Sequence, residues 1–204
     1  MGQTGSDRAR HRVRVPWFED VLDAMASATT RYAGVVRARV DDDGGREFSY
    51  RVVRDGRRVR CSALDGTVHV IAGRQTAWTR HDGSGERVSE PVNPRFLHIP
   101  DDYEFGVQYF DWDRWDGTDF TEPIGGPDGI IMLGRAAWRI TLAPPTHKTE
   151  PMQIVVDQQT FLLLHEGNEA FGTYHQWVEL DLDPDVDDDA FTWHDDDRLA
   201  MRYQ

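Results

Sequence analysis

The sequence has almost no lysine and almost no cysteine. Lys148 is the only lysine, so arginine carries nearly all the positive charge. We read that as a compositional bias of the source genome and not as a binding signal. Cys61 is the only cysteine, which excludes an internal disulfide and fits a reducing compartment. It alternates with Arg58, Arg60 and Ser62, and so reads as a small apolar strand residue rather than a catalytic thiol. Basic charge is also in deficit overall. The formal net charge is −13, which argues against nucleic acid as the main partner, because phosphate binding needs a clustered positive field. No apolar run approaches the roughly 18 residues of a membrane span, so no membrane insertion is expected. The first residues carry positive charge but no apolar core behind it. No export signal is therefore read, and a cytoplasmic location is expected.

Motifs of chemistry are missing too. Gly83-Ser84-Gly85 lacks the frame of a nucleophile elbow, and no phosphate loop or dinucleotide fingerprint occurs. Asp181, Asp183 and Asp185 begin like a calcium loop. Val186 then stands where glycine is needed and Thr192 where glutamate is needed, so the reading fails. None of the eight histidines has the spacing of a zinc site. The best acid–base or metal candidate is His165 with His175 across a hairpin, and Glu179 beyond; a polar edge pair is the plainer reading of the same residues. No catalytic residue, metal or cofactor is assigned, and the chain is expected not to be an enzyme.

What is present is alternation. Trp138, Ile140 and Leu142 alternate with Arg139 and Thr141. Met152, Ile154 and Val156 follow the same rule, as do Phe161, Leu163 and His165, and then the run from Tyr174 to Leu182. Period two with short turns between means antiparallel strands, each with one face to bury. Asp157-Gln158-Gln159-Thr160 is expected to join two of them as a hairpin. Earlier in the chain five more strands are expected, at about Tyr32–Val40, Glu47–Arg54, Arg58–Leu64, Thr67–Ala72 and Gln75–Arg80. Asp-Gly pairs at 55–56 and 65–66 mark tight turns between them. Phe48, Tyr50 and Val52 define one face of this meander. Arg37, Arg39, Arg51, Arg58 and Arg60 are expected on a solvated outer face, with an acidic partner as the alternative reading.

One good helix is expected, from Pro16 to about Thr29. Proline suits the first helical position, and Glu19 sits where the helix end is positive. Trp17, Phe18, Val21, Leu22 and Met25 recur at three and four, forming an apolar stripe that must lie on something. The natural partner is the apolar face of the sheet. Residues 1–12 read as a flexible basic tail, and 13–204 as a single domain. An insertion at about 82–128 breaks the strand pattern with prolines and glycines. It carries Tyr103, Phe105, Tyr109, Phe110 and Trp112, too many aromatics for disorder. Short helices are expected there, forming either a lid over a ligand or simply more core. Phe191 and Trp193, in the acidic end of the chain, are expected to tuck a last short strand or turn onto the body.

Gly134-Arg135-Ala136-Ala137-Trp138, Leu142-Ala143-Pro144-Pro145, Val155-Val156-Asp157 and the Phe191-containing end carry a family resemblance. The chain resembles actinobacterial proteins related to the LolA-like lipoprotein carriers and the regulator RseB. The resemblance implies an α+β fold, mostly antiparallel β: a strongly curved half-barrel of two meanders wrapped around the amino-terminal helix and short inserted helices. It also implies a concave apolar face able to hold acyl chains. Carriers of that family are exported and this sequence shows no export signal, so lipoprotein delivery across a periplasm is not carried over.

The expected function is therefore a non-enzymatic module that binds a hydrophobic small molecule, such as a lipid or acyl chain. The expected lining is Trp17, Phe18, Val21, Leu22, Met25, Phe48, Tyr50, Tyr103, Phe105, Tyr109, Phe110, Trp112 and Trp138. The alternative is a regulatory or protein-interaction domain whose hollow is filled by its own side chains.

Overall fold

The computed structural model describes residues 16–26, 31–39, 45–56, 58–66, 68–72, 77–79, 122–144, 149–168, 170 and 172–192. The basic tail, most of the 82–128 insertion and Trp193 lie outside the described residues.

The described chain is one helix and one sheet. Helix α1 spans Pro16–Ala26. Strands β1 (Arg31–Arg39), β2 (Glu47–Asp55), β3 (Arg58–Ala63), β4 (Val68–Ala72) and β5 (Ala77–Thr79) form the first meander. Strands β6 (Asp128–Met132), β7 (Arg135–Leu142), β8 (Met152–Asp157), β9 (Leu163–Asn168) and β10 (Thr173–Asp181) form the second. All neighbours are antiparallel, in the order β5-β4-β3-β2-β1-β10-β9-β8-β7-β6. The two meanders thus meet at a single seam, β1 against β10. The sheet does not close on itself; it is the expected curved half-barrel with a helix.

Register assigns the faces. Tyr32, Val36 and Ala38 of β1 stand opposite Arg54, Tyr50 and Phe48 of β2, and Val52 of β2 stands opposite Cys61 of β3. Across the seam, Ala38 faces His175 and Val36 faces Trp177. Glu166 then pairs with His175 and with Ile154, which pairs with Ile140. This set is the inner, concave face. The stripe of α1, Phe18, Val21 and Met25, is buried with it in one cluster. Each such side chain contributes on the order of 1.5–3 kcal/mol by leaving water.

The seam is bulged. Val35 pairs with Glu179 but Val36 with Trp177, so Val178 is the extra residue. Phase therefore slips along β10: His175 and Trp177 are buried, whereas Leu180 beyond the bulge is half-buried. Backbones come close here. A Cβ on Gly34 would lie 2.1 Å from the Glu179 carbonyl oxygen, so only glycine fits.

Two elements differ from expectation. The strand expected from Phe161 starts at Leu163. Asp157 ends β8 by turning the chain. Its Oδ1 accepts from the Gln159 and Thr160 N–H groups at 2.9 and 2.7 Å and from the Thr160 hydroxyl at 2.9 Å. Phe161 closes that turn with φ +57°, which takes it out of the ladder. The other difference is β6, which the sequence pattern does not announce. It joins β7 through Leu133 and Gly134, both at positive φ (52° and 73°), a two-residue hairpin of the primed type. Pro123 also bridges Leu142, so the end of the expected insertion already runs along β7.

The arginine face is also corrected in part. Arg37, Arg39 and Arg51 are exposed on the outer face as expected. Arg58 and Arg60, expected in solvent beside them, are half-covered. Residues 182–192 cross the outer face above them, ending in a 3-10 turn at Asp188–Phe191 that buries Phe191.

Candidate functional site

The candidate site is the hollow of the half-barrel. Eight of the expected lining residues fall among the described residues, and all eight join one apolar cluster. Phe18, Val21, Met25 and Tyr50 are fully buried in it, and Trp17, Leu22, Phe48 and Trp138 are half-buried around it. Tyr103, Phe105, Tyr109, Phe110 and Trp112 lie outside the described residues.

Aromatic contacts give the hollow its shape. Trp17 meets Phe18 edge-on at 5.6 Å, and Tyr32 meets Trp177 edge-on at 5.4 Å. Phe48 stacks on Tyr50 at 6.1 Å, and Trp138 tilts against Phe161 at 5.8 Å. Tyr32, Trp177 and Phe161 are additions to the expected lining. Tyr32 and Trp177 are legible as strand positions, but the bulge at Val178 decides which side of β10 is buried, and no local pattern announces a bulge.

Four titratable groups in this lining are held neutral. Burial pushes the Cys61 thiol up to about 12, so it is an inert apolar residue. Burial raises Tyr50 well above the ordinary phenol value, helped by the neighbouring Cys61, Glu166 and Tyr32. Burial also raises Tyr32, with Arg54 opposing it. Burial, and then the nearby His165, lowers His175 to about 3, so its imidazole is uncharged at neutral pH. These groups present an uncharged surface to anything in the hollow.

The histidine pair does not make a site. His175 pairs with Glu166 on the inner face, whereas His165 pairs with Gln176 and Val155 on the outer face. There His165 stacks on Tyr174 at 6.4 Å, and the Tyr174 hydroxyl donates to Glu47. Glu179 is exposed beyond the bulge. Among the described residues, no three His, Cys, Asp or Glu side chains are grouped to hold a metal ion.

At one end the lining runs out from cover. Trp138 of β7 pairs with Gly129 of β6, so Ile131, two residues on, shares the inner face with Trp138 and Ile140. Ile131 is 72% exposed and Ile124 nearby in the chain is 54% exposed. Register thus sets an exposed isoleucine beside Trp138, while Ile130 and Met132 are the β6 side chains packed against the core.

No protein-family model matches the chain, and no curated protein matches it in sequence. Solved structures do. The crystal structure of MucB superposes with a TM-score of 0.55 and 16% identity, over 87% of this chain and 62% of that one. The MucA/MucB complex of Pseudomonas aeruginosa gives 0.55 and 14%, over 87% and 60%. The fold is RseB-like. This chain therefore spans about 60% of the length of those MucB chains. An uncharacterized conserved protein from Thermus thermophilus matches end to end: TM-score 0.53 and 12% identity, over 91% of this chain and 99% of that one. A LolA superfamily protein from Nitrosomonas europaea superposes too loosely to add weight, at 0.39. An RseB-like half-barrel at such identities fixes architecture and nothing finer. The actinobacterial source expected from the sequence has no support in these matches.

Proposed function

We propose that this chain is a non-enzymatic binding module for a hydrophobic small molecule, an acyl chain or lipid, held on the concave face. One observation carries the reading: Trp17, Phe48 and Trp138 are only half-buried around the core, with Ile131 exposed in register with Trp138. A half-buried aromatic edge, continuous with a core, is where an apolar guest begins to bury. A guest covering it gains roughly 25 cal/mol for each Å² of apolar surface removed from water. The neutral Tyr32, Tyr50, Cys61 and His175 suit such a guest.

The test uses the full chain and a fluorescent fatty-acid probe, with native mass spectrometry of the purified protein. The expected result is saturable probe binding, weakened about tenfold by Ile131→Asp at unchanged melting temperature. No co-purified lipid together with no probe binding removes the reading.

A second reading, a protein-interaction domain, is favoured by a different observation. Under α1 the hollow is already filled, with Phe18 and Met25 each 2% exposed. MucB, which shares the fold, has been solved in complex with MucA. Cross-linking that captures one stoichiometric protein partner from the native host, with no bound lipid, supports this alternative.

A further inference from the structure

The second meander ends in a strand whose outer edge meets no other described strand. Strand β6 pairs with β7 on one side only, in unbroken register from Asp128 opposite Arg139 to Met132 opposite Arg135. The two-residue turn at Leu133 and Gly134 decides which main-chain groups that pairing uses. Residues flanking such a turn exchange hydrogen bonds, and bonded and non-bonded pairs then alternate along an antiparallel ladder. Met132, Ile130 and Asp128 therefore direct their N–H and C=O groups at β7. Those of Ile131 and Gly129 point away from it.

Natural sheet edges are commonly guarded by a lysine, by a proline within the strand or by a bulge. Strand β6 has none of the three. Its one charge, Asp128, is held by Arg139 at 3.1 Å. The margin is apolar instead. Four large apolar side chains are exposed among the described residues, and Ile124, Ile131 and Leu133 lie on this margin. Leu133 holds φ +52°, a conformation better suited to asparagine or glycine.

This edge is complementary to itself. With a second copy antiparallel about a two-fold axis at Ile130, Ile131 of each copy stands opposite Gly129 of the other. A Cβ on Gly129 would meet nothing within 4 Å, so the room over that glycine is open to the isoleucine. The outward groups of Gly129 and Ile131 then bond one another, about four hydrogen bonds in all. Ile130 meets its own copy on the axis and Asp128 stands opposite Met132, so no like charges face each other. Pro127, with no N–H to give, and the turn at Leu133 confine the pairing to these five residues.

We propose that β6 is a docking edge for β6 of a second copy, joining two half-barrels into one continuous sheet. The interface is small, so a dissociation constant on the order of 10–100 µM is expected. The proposal does not rest on the lipid reading. Below about 1 µM, where probe binding is measured, the chain is a monomer at that affinity, so either can fail alone.

The test is sedimentation velocity of the full chain from about 1 µM to about 500 µM. The expected result is a monomer–dimer equilibrium. It should strengthen as salt rises from about 50 mM to about 500 mM, because two chains of net charge −13 repel. Gly129→Pro removes an outward N–H from each copy and should weaken association at least about tenfold at an unchanged melting temperature. Gly129→Lys, which sets a charge against the incoming isoleucine, serves with the same expected loss if the proline variant does not fold. Ile130→Cys should give a disulfide-linked dimer under mild oxidation, since a non-bonded pair on the axis has its Cα atoms about 4.5 Å apart. Native Cys61 is buried and does not compete, and Leu64→Cys, at an exposed position off this edge, should stay monomeric. Association unaltered by either Gly129 variant, or an Ile130→Cys chain that links no faster than Leu64→Cys, overturns the proposal. So does a wild-type monomer at every concentration, which leaves the edge to a strand of another protein.

Discussion

Asp157 shows how one side chain can end a strand. Its carboxylate is buried, takes the guanidinium of Arg135 on one side and three donors from residues 159 and 160 on the other. Burial alone raises its pKa. The Arg135, Thr160 and Gln159 donors outweigh that and hold it below the usual carboxylate range. A depressed folded pKa gives stability that is complete above the unfolded value of about 3.9 and lost as pH falls through the folded value. Asp157→Asn should therefore flatten the acid limb of a stability–pH curve below about pH 4. Asp157→Ala should cost about 2–3 kcal/mol in urea unfolding at pH 7, because it leaves Arg135 and the turn N–H groups without their acceptor. The sequence marks Asp157-Gln158-Gln159-Thr160 as a turn, yet not that the turn extends to Phe161. Phenylalanine at positive φ is uncommon, and alternation through Phe161 and Leu163 looks unbroken. Gly34 is a harder constraint. Gly34→Ala would press a methyl into the Glu179 carbonyl and the Trp177 ring, and should abolish a cooperative melt or cost more than about 3 kcal/mol.

Among the elements, α1 is the most legible, because proline, an early acid and an i, i+3, i+4 stripe all agree on it. The stripe does what its period implies. Phe18→Ala should lose about 3–5 kcal/mol, and Leu22→Ala less, because Leu22 is only half-buried; thermal or urea melts would rank them. The β1–β4 boundaries are legible to within a residue or two, since Asp-Gly turns punctuate them. Strand β6 is not. Its sequence, Asp-Gly-Ile-Ile-Met, does not alternate, follows a proline and contains a glycine, and each of these argues against a strand. Its pairing comes from β7, whose Arg139 reaches Asp128 at 3.1 Å, and from a Leu-Gly turn that no strong turn signal marks. The lining residues are half legible for a related reason. Local period names one face of a strand, but which face is buried depends on a partner far along the chain.

At the scale of the whole molecule, that distant partner is the seam. Strands β1 and β10 stand side by side, although Val36 and Trp177 are far apart in sequence. Closing so long a loop is entropically costly and slow, so each meander is expected to form locally before the two meet. Trp177→Ala removes a nearly buried ring from that junction and from its contact with Tyr32. It should cost about 3–5 kcal/mol and split a single unfolding transition into two, read by denaturant titration with near- and far-ultraviolet circular dichroism.

The solitary sulfur at position 61 is wholly enclosed on the inner face. It makes the chain its own reporter, because no other thiol competes for a sulfhydryl reagent. Modification can proceed only as fast as the enclosure breathes, so its rate counts openings of the inner face without any engineered label. A guest that wedges the core apart would quicken the reaction, and one that merely perches at the rim would leave it unchanged.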